Sequence, residues 1–431
     1  MKKVDWYQDF VDFAYRPKED DVVCLFRFEP SQGVSNLEAV GRIASESSAG
    51  TWTTLSNLPR NIERVKARSF EIKGRFVRVA YPIDLWEPGN MPQLLSGVAG
   101  NIFGMRALKN LRLVDISLPV AYTKNFLGPQ FGIDGIRRML KVKRRPVTGA
   151  VAKPKVGWDA EEHAKIAYET WSGGFDLVKD DENLTSLKFN KFEQRVKLCY
   201  RMRERAERES GNRKSALFNI TGETNQMIKR AKLLHDYGFE YVMIDVVVTG
   251  FSSLQTMRNV CQDLGLAIHA HRAMHAAFDR NPLHGITMLF LAKMCRLVGV
   301  DQLHVGAVVG KLAGTPKQVL EIKNQMVLKT IKNLSPVHLQ QQWNSIKPVF
   351  PVSSGGIHPG IIPEVLRIMG NEIVMLVSGG IHGHPDGTRS GALAAMQSIM
   401  ASMDGIPLRE YAMTHAELRA ALEKWGRIRP E

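Results

Sequence analysis

The stretch GGFDLVKDDENLTS, residues 173–186, runs from an apolar segment, Phe175-Asp176-Leu177-Val178, directly into Lys179-Asp180-Asp181-Glu182. A short apolar run of this kind reads as a buried strand when helical patterns flank it. The same pattern recurs from residue 148 onward. Eight short apolar runs occupy 148–155, 175–179, 216–221, 241–246, 266–271, 301–307, 349–355 and 373–380. Helical spacing fills the gaps, for example over 159–172, 223–237, 284–297 and 386–402. Eight strand–helix alternations over roughly 250 residues predict a (β/α)8 TIM barrel. The runs are apolar throughout rather than alternating, as strands covered on both faces require.

The residues before the barrel read differently. Strand-like 22–30, helical 35–47, strand-like 69–83 with Gly74 at its bend, helical 91–104 and strand-like 111–122 follow one another. The order β-α-β-β-α-β predicts a ferredoxin-like α+β fold, with Ser35 as N-cap of its first helix and Glu38 three residues on. The expected organisation is 1–122 as this smaller domain, 123–147 as a connecting segment and 148–431 as the catalytic barrel.

The chain has 431 residues, 44% hydrophobic and 23% charged, an ordinary globular composition. No apolar stretch is long enough to cross a membrane, and Asp5, Asp9 and Asp12 interrupt the start, against a cleaved signal peptide. Cys24, Cys199, Cys261 and Cys295 are widely spaced, the pattern of buried thiols in a reduced, cytoplasmic protein. A net charge of +15 is compatible with nucleic acid, an anionic surface or anionic small substrates. The densest basic run, 201–214, also carries Glu204, Glu207 and Glu209, so it reads as a salt-bridged exposed helix. No aromatic residues interleave it as a single-strand platform would need. Neither nucleic acid nor membrane is an expected partner.

In such barrels chemistry sits at the C-terminal ends of the strands, so the polar residues ending each run carry the information. At the second run, Lys179 and Asp181 share a side if the strand continues, and Glu182 follows. Taken alone, this stretch reads as a salt-bridged loop. As a site, its two carboxylates would repel unless a cation lay between them, and oxygen ligands favour Mg2+. Lys179 is then a counter-ion, or a neutral amine able to take up CO2 as a carbamate. The first run ends in Lys153 and Lys155. As two lysines on one side they would depress each other's pKa, which suits a base; as exposed residues flanking a proline they would do nothing. The fifth ends in His269, His271 and Arg272, the last able to clamp a phosphate. Zinc is the rival for the histidines, but the carboxylates lie three strands away. The sixth gives His304, then Gly306, Gly310 and Gly314 around Lys311, either a lid or an ordinary connection. The last two end alike, in Ser354-Gly355-Gly356 and Ser378-Gly379-Gly380. Glycine pairs opening a helix offer backbone N–H groups to phosphate, and barrels commonly hold phosphate there. Asn219 and Asp245 end the third and fourth runs. The expected substrate carries one or two phosphates and reacts at Mg2+, with lysines and histidines moving protons.

Six barrel segments, GAVAKPKVG, GGFDLVKDDEN, HAHRAMHAAFDR, HVGAVVGKLAG, PVSSGGIH and SGGIHGHP, resemble the large subunit of ribulose-1,5-bisphosphate carboxylase/oxygenase. So do ASESSAGTWTT (44–54) and VAGNIFGMRALKNLRL (98–113), and the resemblance runs from about residue 20 to 405, closest to the archaeal form III type. It implies Mg2+-dependent carboxylation of ribulose 1,5-bisphosphate to two 3-phosphoglycerate, with oxygenation by O2 as a side reaction, in nucleotide salvage or a carbon-fixing route. It implies that Lys179 is carbamylated by an activating CO2 and joins Asp181 and Glu182 on Mg2+. Lys153 would take part in enolisation, Lys155 assist it, His271 move protons, and Lys311 stabilise the carboxylated intermediate. Arg272 and His304 would hold one phosphate. Ser354, Gly355, Gly356, Ser378, Gly379 and Gly380 would bind substrate hydroxyls and the other phosphate. Glu46, Thr51, Trp52 and Asn101 would complete the site of a partner subunit, making the protein a homodimer or a ring of dimers, with no small subunit.

Two departures from the family's pattern stand out. Ser378 occupies the first of three positions that are often all glycine, and Val151 stands where many members have threonine. The second leaves one substrate hydroxyl without an evident partner. Carboxylase-like enolases or isomerases of related sugar phosphates are the alternative. They typically lose the mobile-loop lysine or partner-domain residues, whereas Lys311, Glu46 and Asn101 are kept here.

Overall fold

A computed structural model describes residues 6–51, 53, 55–309, 315–332 and 338–428. Two compact units interleave along the chain. The first comprises 1–128, 274–298 and 328–347; the second comprises 129–273, 299–327 and 348–431.

The first unit is built on strands β1 (Val22–Pro30), β2 (Arg68–Lys73), β3 (Phe76–Tyr81) and β4 (Leu108–Ser117). They form one antiparallel sheet in the order β4-β1-β3-β2, the ferredoxin-like arrangement expected. The two-residue strand Gly285–Ile286 adds to β4 in parallel. Gly74, at φ +59°, makes the tight turn between β2 and β3. The helix Asn36–Glu46 packs on β1 and β2. Ser35 caps it as expected, its hydroxyl accepting Glu38 N–H at 3.0 Å, while the Glu38 carboxylate pairs with Arg42 at 2.9 Å. The expected helix over 91–104 divides into Met91–Val98 and a single turn at Asn101–Gly104.

The second unit contains the barrel. Its strands are β5 (Val147–Val151), β6 (Leu177–Lys179), β7 (Ser215–Leu217), β8 (Tyr241–Asp245), β9 (Ala267–His271), β10 (Gln302–Gly306), β11 (Phe350–Ser354) and β12 (Val374–Leu376). All pair in parallel, in the order β7-β6-β5-β12-β11-β10-β9-β8, and a bridge between Asn219 and Met243 joins the two ends. Nearly every strand residue is buried, which is why the runs read as uniformly apolar. The helix Gly132–Leu140 closes the N-terminal mouth: Ile133, Ile136 and Leu140 join Val147, Leu177, Leu217, Met243, Phe350 and Val374 in one cluster. Each such side chain contributes about 1.5–3 kcal/mol on burial. The buried Asp301 carboxylate fixes this helix by accepting N–H groups of Phe131 (2.6 Å) and Gly132 (3.0 Å), and of Ile268 (3.0 Å) on the adjacent barrel wall.

The helix Phe192–Ser210 corrects one expectation. The run 201–214 does carry an exposed Arg205–Glu209 pair at 2.8 Å, but Arg203 in that run is buried, as is Arg195 before it. Arg195 donates to Asp180, and the Arg203 guanidinium lies 4.3 Å from the centre of the Phe239 ring. All four cysteines are free and buried. Among the described residues no helix is long and apolar enough to cross a membrane.

Candidate active site

A cavity of about 750 Å³ opens where the barrel strands end. Among its lining are Lys153, Lys155, Lys179, Asp181, Glu182, His271, His304, Ser354-Gly355-Gly356 and Ser378-Gly379-Gly380. Residues from six strand ends and turns thus reach one chamber.

Lys179 is the last residue of β6, in register with Val151 of β5 and Leu217 of β7. It is 1% exposed, and its ammonium group donates to Asp180 O at 2.8 Å. Burial drives its pKa down to about 8, against the pull of Glu182, Asp181, Asp245 and Asp180. The strand stops there, so Asp181 and Glu182 reach the cavity from the turn beyond β6. Asp180 points elsewhere: it accepts from Arg195 (2.9 Å) and from Asn219 N–H (3.0 Å), with His163 at 3.4 Å.

Lys153 and Lys155 lie beyond the end of β5 rather than on it. Each faces a carboxylate: Lys153 Nζ is 3.2 Å from Asp181 and Lys155 Nζ 2.6 Å from Glu182. The expected mutual depression does not hold for Lys155, whose pKa is raised by its hydrogen bond to Glu182. Burial opposes ionisation of Glu182, but the bond from Lys155, its own backbone N–H and the nearby His271 and Lys179 outweigh it and lower its pKa.

The histidines form two systems. His271 Nδ1 lies 3.1 Å from Asp245 Oδ1 and 3.2 Å from Ala273 N. One nitrogen cannot serve both; the charged acceptor keeps the proton on Nδ1. That leaves Nε2, 3.8 Å from Glu182, as the basic nitrogen. Burial, then Lys179, lowers the His271 pKa. In the second system His269 Nδ1 donates to Gln302 Oε1 at 2.8 Å, so its Nε2 accepts from His304 Nε2 at 3.0 Å. The bare His304 Nδ1 then accepts the Ser354 hydroxyl proton at 3.0 Å. Burial holds both histidines neutral, well below their usual pKa, and both ring nitrogens of His304 are engaged. Arg272 is not among the residues lining the cavity; its guanidinium packs 3.0 Å from where a β-carbon on Gly306 would lie, at φ +116°, so that position needs glycine.

The second Ser-Gly-Gly turn packs against the residues that follow the first. A β-carbon on Gly380 would meet Ile357 O at 2.4 Å, so only glycine permits the approach. Gly379 opens a one-turn helix, Gly379–His382. Gly355 and Gly356 do not open one directly, contrary to expectation, because a turn intervenes before Pro359. The C-terminal segment, which strand-end reasoning did not reach, contributes Lys424, Trp425 and Ile428 to the cavity wall. It is tied down by Lys424 donating to Gly383 O (2.6 Å) and His358 donating to Ile428 O (2.8 Å). A sequence signal existed only in its composition, a Lys-Trp pair ending an amphipathic helix.

Glu46 and Asn101 line a second cavity in the first unit, of about 660 Å³, with Arg42 and Arg106. Thr51 is half-buried and not among its lining. Trp52 and Lys311 lie outside the described residues.

Residues 132–425 match the ribulose bisphosphate carboxylase large chain catalytic domain, and residues 9–122 match that large chain's N-terminal domain. The chain belongs to the ribulose bisphosphate carboxylase large-chain family. Ribulose bisphosphate carboxylase from Pyrococcus abyssi is 53% identical over 433 residues, 100% of this chain and 99% of that one. The Methanosarcina acetivorans enzyme is 50% identical over 423 residues, 97% and 99% of the two chains. Among solved structures, octameric Rubisco from Pyrococcus horikoshii OT3 with sulfate is 53% identical, with a TM-score of 0.92 over 98% of this chain and 97% of that chain. Dimeric archaeal Rubisco from Hyperthermus butylicus is 47% identical, with a TM-score of 0.94 over 98% of this chain and 100% of that chain. The expected resemblance and the expected architecture, a TIM barrel after a small α+β domain, are both borne out.

Proposed function

We propose that the chain carboxylates ribulose 1,5-bisphosphate to two molecules of 3-phosphoglycerate, with oxygenation as a side reaction, at the barrel cavity. The observation that carries this reading is Lys179: a buried amine with a pKa near 8, opening on a cavity beside Asp181 and Glu182. Among the described residues no group of three His, Cys, Asp or Glu side chains is arranged to hold a metal. Two carboxylates and one amine are what this turn offers. The neutral amine of Lys179 can add CO2, forming an N–C bond and releasing a proton, and the carbamate brings the oxygen donors to three. That donor set fits Mg2+. When bound, Mg2+ would polarise substrate oxygens as a Lewis acid.

The remaining roles fall to the chain's own groups. Lys153, assisted by Lys155, serves enolisation, and His271 takes or returns protons at Nε2 while Asp245 fixes its ring. The Ser-Gly-Gly turns at 354–356 and 378–380 hold one phosphate and substrate hydroxyls, Arg272 and His304 hold the other phosphate, and Lys311 stabilises the carboxylated intermediate. Glu46, Thr51, Trp52 and Asn101 complete the site of a second copy, so the working form is a homodimer or a ring of dimers without a small subunit.

The deciding assay is 3-phosphoglycerate formation by the pure protein from ribulose bisphosphate, bicarbonate and Mg2+; no product under those conditions overturns the reading. A shared site makes a further demand. Glu46→Gln and Lys179→Ala chains, each inactive alone, should recover activity when unfolded together and refolded. Random pairing in two-fold dimers gives about a quarter of the parent's activity. Mixed dimers with no activity would refute the sharing.

A further inference from the structure

The two departures from the family's pattern, Val151 and Ser378, are in contact. The β5–β12 ladder runs through Val147–Val374, Thr148–Met375 and Gly149–Leu376, and Val377 N–H extends it to Gly149 O at 2.9 Å. At the next step the chain turns, with Ser378 at φ −105° and ψ −78°. There Val151 N–H donates to Ser378 Oγ at 3.0 Å, so a side chain continues the ladder where the backbone leaves it. The other face of the same residue is held as well: His382 Nε2–H donates to Val151 O at 3.0 Å, and Thr388 Oγ1–H donates to His382 Nδ1 at 3.1 Å. Burial keeps His382 neutral, with a pKa near 4, which suits this one-donor, one-acceptor arrangement.

These bonds fix the Ser378 oxygen but not its proton. Oγ accepts from Val151, and among the described residues the Ser378 hydroxyl has no other hydrogen-bond partner. Ser354, the other serine on the cavity wall, donates its proton to His304. Ser378 lines the cavity together with Val151, Leu376, Ile357 and Lys153.

We propose that the Ser378 side chain is a substrate-contact group: its hydroxyl donates to an oxygen of the sugar phosphate held beside Lys153. It supplies from the end of β12 the hydroxyl that Val151 does not supply from the end of β5. The identity of the sugar phosphate rests on the function proposed above.

The test compares Ser378→Ala, Ser378→Gly, Ser378→Thr and the double variant Val151→Thr/Ser378→Gly. Steady-state carboxylation and calorimetric titration with ribulose 1,5-bisphosphate are read for each, beside thermal unfolding as a check on folding. Loss of the hydroxyl should raise KM and Kd about tenfold, with kcat within about twofold. Ser378→Thr keeps the hydroxyl and should stay within about threefold of the parent. In the double variant the hydroxyl moves to the hydrogen-bonded neighbour on a side chain of valine's shape, and KM should return to within about threefold of the parent. Unchanged KM and Kd in the alanine and glycine variants overturn the proposal, as does a double variant no better than Ser378→Gly. A parent that binds ribulose bisphosphate but forms no 3-phosphoglycerate defeats the proposed function alone, and the titrations still decide Ser378. A parent that does not bind it overturns both.

Discussion

Lys179 in the barrel and Lys293 in the first unit are buried to the same degree, at 1% and 0% exposure, and burial lowers the pKa of both. Their partners differ. Lys293 Nζ sits 2.5 Å from Asp115 Oδ1 and 2.7 Å from Ile116 O. Asp115 in turn accepts N–H groups from Ile116 and Leu339, each at 2.7 Å. The pair joins β4, the helix Met288–Val298 and the segment at 339, with its charges matched. Lys179 donates to a backbone carbonyl, and among the described residues no carboxylate lies within ion-pair distance of it. Asp181 and Glu182 are engaged by Lys153 and Lys155. A structural lysine is neutralised by its partner; Lys179 instead has a pKa near neutrality and a cavity in front of it. Burial alone does not separate the two, since partners and access do.

The sharpest break of this comparison is Lys179→Ala. Carboxylation should fall by at least about 10^3-fold, because electrostatic stabilisation at a reacting centre carries effects of that size. With the parent, trapping of labelled CO2 on Lys179 should rise with pH through about 8, as the amine loses its proton, and decline below it. Full fixation of labelled CO2 by the alanine variant would sink the carbamate assignment.

Lys293→Met should do the opposite. Removing one partner of a buried pair leaves Asp115 charged and unmatched, at a cost of about 3–5 kcal/mol. Chemical denaturation should show that loss, while carboxylation per folded molecule stays near the parent's. A catalytic defect without lost stability would show that the buried pair is more than structural.

Much of this contrast was legible in the sequence, for physical reasons. The eight apolar runs stood out because strands covered on both faces leave no polar period, and their charged ends stood out against that background. Strand alternation puts Asp180 on the side opposite Lys179 and Asp181, and it does turn toward Arg195. Strand ends were less legible. The run 148–155 overshoots β5 by four residues, since apolar patterning cannot register where a ladder stops and Lys153 begins a turn. Arg203 read as exposed because a guanidinium counts as charge in a sequence, although its stem packs like a hydrocarbon. Trp425 and Ile428 escaped because they come from a helix and tail far along the chain, and only the folded chain brings them to the cavity. The contact between Val151 and Ser378 was invisible for the same reason: the two positions are 227 residues apart.

Lys214 makes the comparison finer, and its expected effect is the smallest. It resembles Lys179 closely: 1% exposed, pKa lowered by burial to about 8, its Nζ donating to a backbone carbonyl, Phe175 O, at 2.8 Å. It is not among the residues lining the barrel cavity. If a low-pKa buried amine were enough for CO2 uptake, Lys214 would take up the label too. If the cavity and its carboxylates are also required, it will not. Lys214→Met should therefore leave CO2 trapping and carboxylation within about twofold of the parent. It should cost only about 1–2 kcal/mol of stability, the price of one unmatched carbonyl. Mass mapping of the labelled carbamate decides between the two outcomes: label on Lys214 at a level comparable to Lys179 would mean that the amine's lowered pKa, rather than its place in the cavity, selects the site.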